Sequence, residues 1–223
     1  MHNRASTYTC LSFHPLCLPI TSLPPPVFPR ASTYTCLSFH PLCLPITSLP
    51  PPVFPAGILQ PPFYHPAFPR SLNYGGIGVV IGHEITHGFD DRGRQFDKNG
   101  NLQQWWTPSD VSQFYQRASC MLDQYGEYEV DEVGLKINPV NTLGENIADN
   151  AGIKISYQAY QNWRKNNEET VMLPYVNLTH DQLFFLNFGQ IWCEINSPEA
   201  MLTKIRSGQH SPNRFRQLSV VLE

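Results

Sequence analysis

The sequence predicts a mainly α domain with little β, preceded by a Pro-rich duplicated segment. Three observations carry that reading. Helix-start signals recur at Thr107-Pro108-Ser109-Asp110, at Thr142 and at Thr179-His180-Asp181-Gln182, where a capping side chain or an early Pro suits the first turn. Chemically capable side chains fall four apart at His83/His87 and at Glu145/Asp149, the spacing that stacks side chains on one helix face. Residues 4–29 are repeated without a single change at residues 30–55.

In chain order, the duplicated unit is rich in Pro, Ser and Thr, carries almost no charge and shows no helical or strand periodicity. With Pro24-Pro25-Pro26 and Pro50-Pro51-Pro52 it reads as polyproline-like or disordered chain. Solenoid repeats drift in sequence and need about three copies to bury a core. A perfect two-copy repeat therefore reads more economically as tandem-repeat DNA translated through a mispredicted exon. The chain divides into residues 1–55, which contribute little to a core, and residues 56–223. Leu72 to Asp90 should contain a helix, with Asn73-Tyr74-Gly75-Gly76 as its lead-in. Asp97-Lys98-Asn99-Gly100-Asn101 is a turn. It is not an EF-hand, because Gly falls at the fourth position and no Glu closes the loop. Further helices are expected over Val111 to Tyr125, over Thr142 to Trp163, and from Thr179 through Cys193. His180 reads as a cap-region residue, and His2, His14, His40 and His65 sit in Pro-rich surroundings with no partner spacing.

Composition bounds the partners. Of 223 residues, 41% are apolar and 15% charged, and setting the repeat aside leaves about 165 residues, enough for a single domain. A formal charge of −3 with no basic patch gives no electrostatic case for nucleic acid or anionic membranes. No apolar run reaches the roughly 18 residues of a membrane span, and the N-terminus lacks the basic start and apolar core of a signal peptide. Asn177-Leu178-Thr179 is a glycosylation sequon, meaningful in a secreted chain. Nothing in the sequence bears on oligomeric state.

The chemistry concentrates at His83-Glu84-Ile85-Thr86-His87, an HExxH string that follows the apolar run Val79-Val80-Ile81. His83 and His87 project from one helix face and can hold a single Zn2+. Glu84 lies beside it as base: zinc lowers the pKa of a water toward neutrality, and the carboxylate takes its proton for attack on a peptide carbonyl. The pattern alone has three fixed residues and needs a third ligand from elsewhere. Glu145 is the best one, and Asp149, one turn on, can support a ligand histidine. Two His and one Glu leave a coordination position open, the mark of catalytic rather than structural zinc. The plainer reading of this second stretch is an exposed acidic helix start capped by Asn141 or Thr142. A dinucleotide-binding opening at Gly76 to Gly82 is disfavoured, because its last glycine lies one position too far and the histidines would be unexplained.

Six strings, in order, carry a resemblance: Gly57-Ile58-Leu59-Gln60-Pro61-Pro62-Phe63, Asn73-Tyr74-Gly75-Gly76-Ile77-Gly78, HEITHGFDD at residues 83–91, GENIAD at residues 144–149, Leu183-Phe184-Phe185-Leu186-Asn187-Phe188, and His210-Ser211-Pro212. They resemble the catalytic region of the neprilysin and endothelin-converting-enzyme family of zinc endopeptidases, over roughly residues 53–216. The resemblance implies a thermolysin-like zinc metallopeptidase domain with one Zn2+ per chain, acting on peptide substrates. By resemblance His83, His87 and Glu145 are metal ligands, Glu84 is the general base, Asp149 is the catalytic or ligand-supporting acid, and Asp90 partners a ligand histidine. His210 matches a histidine that stabilises the tetrahedral oxyanion, and Arg216 an arginine that grips a substrate backbone carbonyl. Ile58, Phe63, Val79, Val80, Ile191 and Trp192 match an apolar pocket for the residue after the cleaved bond, implying cleavage on the amino side of hydrophobic residues. Taken singly, each of these six is better read as core. The family is plasma-membrane-anchored or secreted, with its catalytic part outside the cell.

The chain departs from the family pattern in three places. An Asn-Ala-aromatic motif that holds substrate backbone upstream of Gly57 is not present, and Leu42-Cys43 stands at that distance. The helical domain that precedes the catalytic part and closes over its cleft is missing, so apolar walls should be exposed. After Arg216 the family's further helical stretch and Cys-containing terminus are also missing. Of six Cys, Cys10, Cys17, Cys36 and Cys43 belong to the duplicated unit. By resemblance Cys120 and Cys193 each pair with a cysteine outside this segment and would here be unpaired thiols, while a direct bond between the two stays open. The competing expectation for function is a catalytically inactive fragment that retains zinc or peptide binding only.

Overall fold

The computed structural model describes residues 53–221. The expectation of a disordered repeat over residues 1–55 lies outside them, apart from Val53 to Pro55. The described residues are mainly helical, and their strands amount to one short hairpin.

Helix α1 (Arg70–Asn73), a π turn (Tyr74–Gly78) and α2 (Val79–Thr86) run on as one rod. The stretch expected as a lead-in, Asn73 to Gly76, is thus itself helical. The reason is close packing: a Cβ on Gly75 would lie 2.1 Å from the Phe184 carbonyl oxygen, and one on Gly76 would lie 2.4 Å from that of Phe63. The glycines let a widened turn press directly on neighbouring backbone, and π turns of this kind favour functional positions. Asn187, 3% exposed, donates to the carbonyls of both Pro62 and Leu72 and locks this contact.

Helix α3 (Pro108–Gly126) starts where the sequence indicates: Thr107 accepts from the Asp110 amide at 3.2 Å, with Pro108 in the first turn. It leads into a hairpin of β1 (Glu129–Val130) and β2 (Leu135–Lys136), which pair antiparallel with Glu129 opposite Lys136 and Gly134 turning at a φ of 61°. Helix α4 (Leu143–Arg164) follows, close to the expected span. Helix α5 (His180–Ile191) begins with a reciprocal capping box between Thr179 and Gln182, which confirms His180 as a first-turn residue. Helix α6 (Pro198–Ser207), capped by Ser197, went unanticipated although Ser197-Pro198-Glu199 carries the start signal. Helix α7 (Asn213–Val221) ends the described chain.

Three apolar clusters hold these elements. Val79, Ile153, Tyr160, Phe184 and Phe188 join α2, α4 and α5. Ala118, Met121, Tyr125 and Leu143 join α3 to α4. Val130, Ile137, Met201 and Phe215 join the hairpin to α6 and α7. Helices α2 and α4 touch backbone to backbone at Gly82 and Gly152: a Cβ on Gly152 would stand 2.7 Å from the His83 amide nitrogen, and one on Gly82 would stand 2.8 Å from the Gly152 carbonyl oxygen.

Asp97 to Asn101 forms the expected turn, with Asp97 Oδ1 accepting the amides of Asn99 and Asn101. Cys120 is disulfide-bonded, which overturns the expectation that it is an unpaired thiol. Cys193 is a free, exposed thiol just past α5, so the two are not bonded to each other. Among the described residues no helix is long and apolar enough to cross a membrane.

Candidate active site

The chemistry gathers where α2 crosses α4. His83 lies within α2, and His87 caps it while still in helical backbone (φ −56°, ψ −24°), so the four-residue spacing survives the helix end. Their Nε2 atoms face each other at 2.9 Å. A carboxylate turns each ring from the far side. Asp149 Oδ1 lies 2.9 Å from His83 Nδ1, and Asp90 Oδ2 lies 2.7 Å from His87 Nδ1. An ionised carboxylate only accepts, so Nδ1 donates in both rings and each neutral ring presents its Nε2 lone pair to the centre. Asp90 is held in turn by the amides of Arg92 and Gly93.

Glu145, in the first turn of α4, brings Oε2 to 3.2 Å from His83 Nε2, 3.5 Å from His87 Nε2 and 2.9 Å from His210 Nε2. That oxygen is nevertheless buried with no aligned hydrogen-bond donor. The two facts agree if these atoms aim at a common centre rather than at one another. A proton satisfies one such contact at a time, whereas one divalent cation satisfies them all. Zinc bonds of about 2.0–2.1 Å in a tetrahedral shell set ligand atoms about 3.3 Å apart, which the 2.9, 3.2 and 3.5 Å separations bracket. The donor set of two imidazoles and a carboxylate therefore fits zinc. His83, Glu145 and His210 also converge, with ligand atoms within 4.8 Å of one another. His87 is the better third ligand: its Nδ1 is oriented by Asp90 and its side chain is 30% exposed, against 52% for His210.

Charge follows the same lines. Burial alone would raise the Glu145 carboxyl, but the close approach of the His210, His83 and His87 rings holds it well below the usual carboxylate range. His87 is pushed up to about 10, first by Asp90 and then by Glu145. Burial acts to lower His83, yet Asp149 and Glu145 together raise it. Burial raises Asp90 and Asp149, but His87 and two amides hold the former low, and His83 with Arg216 the latter.

The remaining expected residues divide. Glu84 is solvent-exposed in α2 between the two histidines. Asp149 is 2% exposed and committed to His83 and to Arg216, whose Nε and Nη2 both donate to it at 2.6 Å. It orients His83, the ligand-supporting one of the two roles expected for it. Arg216 is likewise spent: it is 5% exposed, bidentate on Asp149, and stacked 3.7 Å above the Trp192 ring. Its first task is to hold Asp149, which leaves Nη1 and the second N–H of Nη2 without a role in that pair. Val79 is 1% exposed inside the α2/α4/α5 cluster and belongs to the core rather than to a pocket wall. Ile58, Phe63, Val80, Ile191 and Trp192 are all half-buried and keep surface for a ligand. The sequence reading passed over Asn146 and Ser211, both buried and hydrogen-bonded to each other at 2.8 Å; their one signal was adjacency to Glu145 and His210.

Known proteins share this arrangement of chain. Residues 51–223 match the model of peptidase family M13. Endothelin-converting enzyme 1 of Bos taurus is 53% identical over 166 residues, which cover 74% of this chain and 22% of that protein. Neprilysin of Homo sapiens is 55% identical over 162 residues, covering 72% of this chain and 22% of that protein. The crystal structure of the Mycobacterium tuberculosis zinc metalloprotease ZMP1 in complex with inhibitor superposes with a TM-score of 0.68 at 36% identity, covering 82% of this chain and 30% of that one. The chain spans 22% of the length of the two curated relatives. A family match over most of its own length, with relatives above half identity, settles its descent: the chain belongs to peptidase family M13.

Proposed function

We propose that this chain is a zinc-dependent endopeptidase, with one Zn2+ held by His83, His87 and Glu145, that cleaves peptides on the amino side of hydrophobic residues. The observation that carries this is the buried convergence of two carboxylate-oriented Nε2 atoms and Glu145 Oε2 on one centre. When bound, zinc supplies Lewis acidity toward a water and a peptide carbonyl.

The chain's own residues do the rest. Asp149 and Asp90 fix the two ligand rings. Glu84, exposed on α2 between the two histidines, takes the proton of the attacking water and passes it to the departing amide nitrogen. His210 donates to the oxygen of the former carbonyl, where charge builds only in the transition state. Val80, Ile191, Trp192, Ile58 and Phe63 offer apolar surface to the side chain after the scissile bond. Peptides are the partners this chemistry requires.

Glu84→Gln tests the proposal. It should keep the metal, because no ligand changes, and lower kcat by about 10^2–10^4. Equal turnover by both forms would remove Glu84 from the reaction. Tightly held zinc without any turnover by the unsubstituted chain would reduce it to a zinc-binding fragment. Phe63→Ala or Trp192→Ala should change selectivity between aromatic and small residues after the cut, and equal loss on every peptide would count against the pocket.

A further inference from the structure

His210 poses a physical problem. Its imidazole must stay within hydrogen-bond reach of the reacting centre, yet its side chain is 52% exposed and sits on the link between α6 and α7, not on a helix. Nothing about such a position fixes a ring. The next residue does the opposite of what a surface link does: Ser211 is 2% exposed, and its Oγ donates at 2.8 Å to Oδ1 of Asn146, itself 1% exposed. Asn146 directly follows Glu145 in α4. Its amide nitrogen donates to Thr142 Oγ1 at 2.9 Å, and Thr142 Oγ1 donates to the Asn138 carbonyl at 3.3 Å, so the asparagine is oriented from both ends. A buried hydroxyl and a buried amide oxygen thus join the residue after His210 to the residue after Glu145. On the other side of the same two neighbours, His210 Nε2 meets Glu145 Oε2 at 2.9 Å.

We infer that Asn146 and Ser211 form a positioning pair that sets the His210 ring over the centre, an inference that rests on the peptidase reading above. With its backbone pinned one residue away, His210 keeps only its two side-chain torsions, and the contact with Glu145 limits those. Both members of the pair are buried, and neither is among the proposed metal ligands. A hydrogen bond that merely stabilised the link would be felt by the whole fold and by zinc binding alike. A positioning bond is felt at His210.

The test uses the full chain and four forms: unsubstituted, Ser211→Ala, Ser211→Thr and Ser211→Val. Thr and Val share a shape, and only Thr keeps the hydroxyl. Three readings are taken: zinc affinity, the 15N and 1H NMR signals of the His210 ring, and kcat against KM. Zinc affinity should stay within about threefold in every form, since the three ligands are untouched. The His210 ring signals should shift and broaden in the Ala and Val forms and return in the Thr form. kcat should fall about 10–100-fold in the Ala and Val forms with KM within about threefold, the pattern of a lost transition-state contact. Unchanged His210 signals in Ser211→Ala, or Thr behaving like Val, overturns the inference. If Ser211→Ala does not fold, Asn146→Gln, which displaces the amide by one methylene, carries the same readings. An unsubstituted chain that cleaves nothing sinks the peptidase reading alone, because the His210 signals still decide whether the pair sets the ring.

Discussion

Protonation of His87 governs both the metal-free chain and its capacity for zinc. Hydrogen bonding to Asp90 and then the nearby Glu145 carboxylate push its pKa up to about 10, so near neutrality it carries a second proton on the nitrogen that would face a metal. A raised folded-state pKa stabilises the fold fully below the unfolded value of about 6.5 and loses that contribution as pH climbs through about 10. Glu145 lies on the opposite branch: its depressed carboxyl contributes above its ordinary range and loses that only as pH falls far into acid, outside this window. Zinc must displace the His87 proton. The metal-free chain should therefore melt lower as pH rises from 6.5 to 10, while zinc affinity rises over the same interval. Calorimetry in two buffers of different ionisation enthalpy should register proton release on zinc binding at pH 7. A zinc affinity that is flat across this window would show that Asp90 does not hold the proton on His87.

Between elements, the decisive contact is the glycine crossing of α2 and α4. In an exposed helix, Gly→Ala gains about 1 kcal/mol of helix propensity. At Gly152 the new Cβ would stand 2.7 Å from the His83 amide nitrogen and 2.9 Å from the Val79 carbonyl oxygen, and backbone cannot swing aside as a flexible side chain does. Overpacking of this kind costs about 1–3 kcal/mol, so the clash outweighs the propensity. Gly152→Ala should lower thermal stability and weaken zinc binding together, because separating α2 from α4 draws Glu145 away from both histidines. Zinc titration and melting of the variant check this, and unchanged zinc affinity would mean that the crossing does not set the ligand distances. Part of this level was legible in sequence. The four-residue spacings put His83 with His87 and Glu145 with Asp149 on helices, and Thr107 and Thr179 start their helices through the caps that their side chains advertise. The glycine crossing was not legible, since a glycine inside a helical pattern signals weakness until the partner pressing on it is known. The π turn at Tyr74 to Gly78 was hidden for the same reason, Asn73 to Gly76 reading only as a lead-in because Gly75 and Gly76 disfavour a helix standing alone.

Across the whole molecule, one centre is built from four separate stretches of chain: α2, the turn after it that carries Asp90, the start of α4, and the link before α7. Motif strings revealed which residues belong together, because HExxH and GENIAD keep local spacings that chemistry demands. They left open how Arg216 is used, since a guanidinium near a peptidase site suits a substrate carbonyl equally well. Only the folded arrangement commits two of its donors to Asp149 and its face to Trp192. Val79 was ambiguous likewise, being apolar enough for either a pocket or a core. A centre assembled from distant segments ties metal binding to global stability, because the ligands disperse when the chain unfolds. With free zinc at 1,000 times its dissociation constant, binding stabilises the folded state by about 4 kcal/mol. For a domain of this size each kcal/mol moves the melting temperature by about 2–4 °C. Chelation should therefore lower the midpoint by about 8–16 °C in one cooperative transition, reversed by adding zinc back. His83→Ala should melt near the chelated value and no longer respond to zinc. A melting temperature indifferent to chelator in the unsubstituted chain would mean that α2 and α4 hold their crossing without the metal, and that the site adds chemistry to the fold without stabilising it.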